Sequence, residues 1–140
     1  MEPSIYLFFN GNCLEAMESY AKVLGGEITG VFRNRDMPET ESRMPGPDDM
    51  VMNMAMKIGN SMMMASDAPG EHYNKPQGFR VQLSLGSLEE IERVHQALSK
   101  DARDVAMPLG ETFWAERFAM FTDRFGTPWM LNYYGSKMPA

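Results

Sequence analysis

The chain writes one pattern twice. SIYLFFN, Ser4 to Asn10, is apolar and aromatic and is followed at Asn12 by a helix start. Seventy-five positions further on, Ser87 starts a second helix after the apolar run Gly78 to Leu85. Asn12 has Glu15 three residues on and Ser87 has Glu90, the spacing of a capping box. Leu14, Met17, Tyr20, Ala21 and Leu24 then fall at helical spacing until Gly25-Gly26 stops the run. Leu88, Ile91, Val94, Ala97 and Leu98 do the same in the second half.

Three strand-like segments follow each helix. In the first half they are Glu27 to Arg33, Met50 to Ile58 and Ser61 to Ser66, the last two joined by a Gly59-Asn60 turn. In the second they are Val105 to Met107, Phe113 to Thr122 and Pro128 to Tyr134, the last pair turning through DRFGT. Asn34 to Asp49, with three prolines, and Asp67 to Gln77 read as polar loops. The order is strand, helix, strand, strand, strand, repeated. A half alone would leave one sheet face bare. The expected fold is α+β: two βαβββ modules in tandem, about 1–70 and about 76–137, forming a mixed, curved sheet around a concave cup in a single domain of residues 1–140.

At 140 residues, 44% hydrophobic and 23% charged, the chain can bury one ordinary core. Its net charge of -6, without a basic run, excludes nucleic acid as a partner. The single cysteine, Cys13, allows no internal disulfide, and MEPSIYLFF reads as no signal peptide. With no 18-residue apolar stretch, a cytoplasmic protein without a membrane partner is expected. Seven of the fifteen methionines fall in MVMNMAMKIGNSMMMAS, as adaptable core filler or as a soft pocket wall.

Strand alternation puts Arg80, Gln82 and Ser84 on one face and Val81, Leu83 and Leu85 on the other. The apolar set should meet the helix, so the polar set lines the cup or a solvated sheet face. Arg80 there is an anion anchor or a structural cation, because its planar fork matches a carboxylate or phosphate. Met130 and Asn132 share a parity and, with Ile5, Leu7 and Phe9, give a mostly apolar cup. Trp129 has core parity, while Trp114, with Phe113 beside it, reads as pocket rim or dimer contact. Glu111 and Glu116 are the carboxylates nearest the expected mouth, so a general base would be sought there. Asp123 reads as a turn former, His95 as a surface residue and His72 as a loop histidine. Cys13 stands at a helix N-terminus, which favours a thiolate, yet has no evident partner, and an apolar packing role is expected.

The stretches YLFFNGNCLEAMESYAKVLGGEI, MMMASDAP and GETFWAERFAMFTDRFGTPWMLN resemble the vicinal oxygen chelate superfamily of glyoxalase I, extradiol dioxygenases and bleomycin-resistance proteins. They look most like its PhnB-like branch, whose FW, DRFG and PW appear here in order. Members of that branch are often labelled demethylubiquinone methyltransferase-like, but no glycine-rich nucleotide loop supports that label here. The resemblance implies a homodimer. It also implies a divalent metal held by His, Glu and Gln on four strands, seven residues before each helix cap and four after each turn glycine. Those counts land on Ile5, Met63, Arg80 and Met130. Two thioethers, a hydrocarbon and a fixed cation do not hold a hard divalent ion. A slip of one or two residues offers Tyr6, Gln82 or Asn132, still without a carboxylate.

The resemblance and residues together suggest a protein that binds an unidentified small molecule in the cup with no metal and no cofactor, as resistance proteins sequester ligands. The expected ligand-binding residues are Ile5, Leu7, Met63, Arg80, Gln82, Phe113, Trp114, Glu116, Met130 and Asn132. The alternative is a lyase, isomerase or dioxygenase with a metal or acid/base site outside this set. A third is a scaffold whose cup is plugged by its own side chains.

Overall fold

The structure, a computed structural model, describes residues 1–38 and 45–137. It divides into two compact modules between Asn74 and Lys75. The expected Asn34 to Asp49 loop opens with a 3₁₀ turn at Asn34–Asp36, and its residues 39–44 lie outside the described set.

The first module runs β1 (Ile5–Phe9), α1 (Cys13–Leu24), β2 (Glu27–Arg33), β3 (Val51–Ile58) and β4 (Ser61–Asp67). Its sheet order is β1-β4-β3-β2. β1 pairs parallel to β4, and the other pairs are antiparallel. α1 buries Ala16, Met17 and Tyr20. Alternate strand residues are buried with them: Leu7 and Phe9 on β1, Met54 and Met56 on β3, Met63 and Ala65 on β4. The Phe9 and Tyr20 rings meet at 6.5 Å. The methionines of this face are core filler, since unbranched thioethers fill the uneven space under a helix. Met62 and Met64 lie on the other face by strand alternation.

The capping box at Asn12 does not form; Asn12 makes no side-chain cap bond. The carboxylate of Asp67, at the end of β4, accepts from the Cys13 N–H at 3.0 Å and from the Val51 N–H at 3.1 Å. A tertiary contact thus satisfies the first orphan donor of the helix, the N1 amide, which a side-chain cap at Asn12 would not reach. Gly25, left-handed at φ 70°, ends α1 as the sequence indicates.

The second module runs β5 (Val81–Ser84), α2 (Leu88–Ser99), β6 (Asp104–Gly110), β7 (Arg117–Thr122) and β8 (Pro128–Tyr133). Its sheet order is β5-β8-β7-β6, with β5 parallel to β8. Ser87 does cap α2, accepting from the Glu90 N–H at 3.1 Å. Trp129, Leu131, Ala119 and Phe121 are buried on the α2 side with Ile91, Val94 and Leu98. Full burial of Trp129 alone makes its loss to alanine worth about 3–5 kcal/mol.

Three strand limits differ from expectation. β5 starts at Val81 rather than Gly78, so Arg80 precedes the strand. β6 is longer than Val105 to Met107 because register shifts against β7 accommodate Pro108. β7 starts at Arg117 rather than Phe113, because Thr112 turns the chain. Its hydroxyl accepts from the Trp114 and Ala115 N–H groups. His95 is not a free surface residue. It is half-buried, edge-on to Phe121 at 5.6 Å, and burial lowers its pKa.

Candidate functional site

The site rests on which sheet face each strand residue takes. Phe9 and Ser84 both lie three residues before a helix cap, yet Phe9 packs under α1 and Ser84 lies on the open face. The two strand-to-helix links therefore differ by an odd step, and Gly11, at φ 92°, makes the turn in the first. The hairpin turns differ as well. Gly59-Asn60 joins β3 to β4 directly, whereas β7 and β8 are joined by the five residues Asp123 to Thr127. Equal counts from cap and glycine consequently reach opposite faces in the two modules.

This corrects the first-module assignments. Leu7 and Met63 are 3% and 4% exposed and, with Ile5 at the same parity, belong to the face under α1. They form core, not pocket wall. The open face of that sheet carries Tyr6, Phe8, Phe32, Met62 and Met64, with the Tyr6 hydroxyl donating to Asn53 Oδ1 at 3.1 Å. A one-residue shift in the count would have found Tyr6 and Met64.

In the second module Gln82, Met130 and Asn132 share one face of the sheet, while Phe113, Trp114 and Glu116 precede β7. Gln82, Met130 and Met120 form one cross-strand row; Ser84, Asn132 and Phe118 form the next. Met120 and Phe118 were missed, although hairpin pairing across DRFGT would have indicated them. Arg80, Met120 and Met130 line a cleft of about 510 Å³ with Phe79, Thr122 and Pro128. That is within the range of small-molecule pockets.

Arg80 is half-buried. Its Nη1 donates to the Phe121 carbonyl at 3.1 Å and the Trp129 carbonyl at 3.4 Å. Among the described residues it forms no ion pair; Asp104 lines the same cleft without pairing to it. Carbonyls orient a guanidinium but leave its full charge uncompensated, with N–H groups to spare. Gln82 Nε2 donates to Ser84 Oγ at 2.9 Å. Asn132 is 4% exposed, and its Oδ1 is buried without a hydrogen-bond partner.

Above this row stands an aromatic stack. Trp114 meets Phe118 edge-on at 5.2 Å, and Phe113 meets Trp114 at 4.8 Å. Phe113 is 87% exposed. Glu116 is committed elsewhere: its carboxylate accepts from the Ser136 N–H and holds the C-terminal 3₁₀ turn Gly135–Lys137. Glu111 pairs with Lys137 at 2.7 Å, and that hydrogen bond and charge lower its pKa. Neither is a poised general base. Cys13 is buried, and burial, followed by the nearby Asp67 charge, pushes its thiol far up, against the thiolate that a helix N-terminus suggests. His72 is an exposed loop residue beside Glu71.

The fold and these strands place the chain in a known class. Residues 5–131 match the Glyoxalase/Bleomycin resistance protein/Dioxygenase superfamily, and the chain belongs to that family. It is 34% identical to Protein YjdN of Escherichia coli (strain K12), over 94% of this chain and 95% of that one. The crystal structure of protein PA1353 from Pseudomonas aeruginosa is similar at TM-score 0.81 and 38% identity, covering 95% of this chain and 97% of that one. A Bacillus cereus structure described as a putative 3-demethylubiquinone-9 3-methyltransferase, PhnB protein, shares the fold at TM-score 0.81 and 23% identity, covering 95% and 99%.

The family implies a divalent metal, and the residues here do not fit one. The open faces offer a phenol, amides, hydroxyls, thioethers, the cations Lys57 and Arg80, and single carboxylates, Glu27 across from Lys57 in the first sheet and Asp104 across from Thr122 in the second. Among the described residues no three His, Cys, Asp or Glu side chains converge. Hard divalent ions need oxygen or imidazole donors that neutralise charge. Arg80 in the cleft would instead repel a cation.

Proposed function

We propose that the chain binds a small organic anion on the open face of its second sheet, without metal chemistry. The observation that supports this most is Arg80: a cation held by two backbone carbonyls, without an ion partner among the described residues, in a cleft where Met120, Met130, Phe79 and Pro128 supply apolar surface beside the polar Lys75, Gln77, Asp104 and Thr122. A rigid cation beside apolar surface recognises an acid with a hydrocarbon or aromatic body. No three metal-ligating side chains converge among the described residues, and the reading is binding and sequestration rather than turnover. A homodimer in the cytoplasm is part of it.

The test is calorimetric titration of decanoate, a carboxylate with an apolar body, into the wild type and the R80M and R80K variants. A charge-assisted hydrogen bond contributes about 1.5–3 kcal/mol, so R80M should lose roughly 10- to 150-fold in affinity. R80K keeps the charge without the fork and should lose less. Circular dichroism checks that each variant is folded. Equal affinity of wild type and R80M would refute the anchor.

A further inference from the structure

We infer that Asn132 is a second ligand anchor, its amide oxygen accepting a hydrogen bond from an N–H or O–H group at the far end of the bound acid; this rests on the reading of Arg80 as the acid's anchor.

The fold gives no other account of Asn132. The residue is 4% exposed, and its Oδ1 has no partner. A buried acceptor without a donor is a standing cost that a leucine at the same place would avoid. Its cross-strand neighbours are Ser84 and Phe118. Ser84 Oγ receives Gln82 Nε2, and Phe118 has nothing to donate. Trp114 packs on the Phe118 ring, so this end of the face is shielded by aromatic surface. An acceptor kept dry beside such surface is strongly selective for a donor.

Arg80 and Asn132 lie on the same face. Arg80 is two residues before Gln82, the partner of Met130, and Asn132 is two residues beyond Met130. Four residues of strand separate their rows, roughly 13 Å at about 3.3 Å per residue. Met120 and Met130 line the cleft, Gln82 pairs with Met130 in the same cross-strand row, and Asn132 lies one row beyond the cleft lining. The ligand class is an elongated, largely apolar acid with a hydroxyl or N–H about 13 Å from its carboxylate.

The experiment compares 10-hydroxydecanoate with decanoate, a matched pair of about that length, by calorimetry on wild type, N132L and R80M. The wild type should bind the hydroxy acid roughly 2- to 12-fold more tightly than decanoate, the effect of one net hydrogen bond. N132L should lose the preference, binding the two acids with about equal affinity whatever its affinity for decanoate. Its melting temperature should hold or rise, because the orphan acceptor is gone. Equal affinity of the two acids for the wild type, as when a buried water serves Asn132, overturns the inference and leaves Arg80 standing. A preference that persists in N132L also overturns it. If neither acid binds the wild type, the Arg80 reading fails and the inference falls with it. The wild-type comparison needs no variant, so it stands even if N132L folds poorly.

Discussion

Asp123→Ala should be among the most damaging single changes in the second module. The carboxylate is 1% exposed and accepts from the Phe125 N–H at 2.9 Å, the Thr127 N–H at 3.0 Å and the Trp129 indole N–H at 2.8 Å. The alanine leaves three buried donors behind. The indole, fully buried, cannot regain water and costs about 1–3 kcal/mol. The two amides lie in a loop that can partly rehydrate, at about 0.5–1.5 kcal/mol each. The expected loss is therefore about 2–6 kcal/mol, read as a lower midpoint in urea unfolding followed by tryptophan fluorescence. Asp123→Asn, which keeps one acceptor oxygen, should lose roughly half as much. In the double variant D123A/W129F the indole contribution should not be counted twice, giving a coupling of about 1–3 kcal/mol. A loss below about 1 kcal/mol in D123A would show that the hairpin is held by something else. The consequence reaches the site, because this loop sets where β8 starts and hence which face Met130 and Asn132 occupy.

Cys13 should react with a thiol reagent only after unfolding, since burial and the Asp67 charge both raise its pKa; rapid labelling of native protein would contradict that account. Burial lowers the folded pKa of His95, so the unfolded chain binds the proton more readily. Stability should then fall as pH drops from about 6.5 through the folded value and level off below it, and His95→Phe should flatten that slope. An unchanged slope in thermal melts of the variant would count against the contact with Phe121. At Gly26, an added Cβ would lie 2.7 Å from Met56 Sδ and 2.9 Å from its Cγ. Gly26→Ala should cost about 1–3 kcal/mol by overpacking, with relief in the double variant carrying Met56→Ala.

The modules were legible because their signals are local. Helix stripes, Ser87 with Glu90, Gly25 and the Gly59-Asn60 turn each act within a few residues. What failed was long-range. The Asn12 box is replaced by Asp67, 55 positions away in sequence, which no spacing rule reveals. The faces of β1 and β4 depend on one odd step in a link and on the length of a turn, so Ile5, Leu7 and Met63 were given to the wrong side. In the second module the same counting reached the open face, and Arg80, Gln82, Met130 and Asn132 came out together. The role of Glu116 was illegible because its partner, Ser136, lies in a turn that no pattern in the sequence marks.

The central claim is that an acid binds the second module's open face through Arg80 without a metal. Its most direct test is the decanoate titration of tag-free protein run twice, once with a chelator present and once with added nickel, zinc or manganese. The account predicts saturable binding in the chelator, unchanged by the metals and lost in R80M. Binding that appears only with a metal, together with stoichiometric metal in the purified protein, would contradict it.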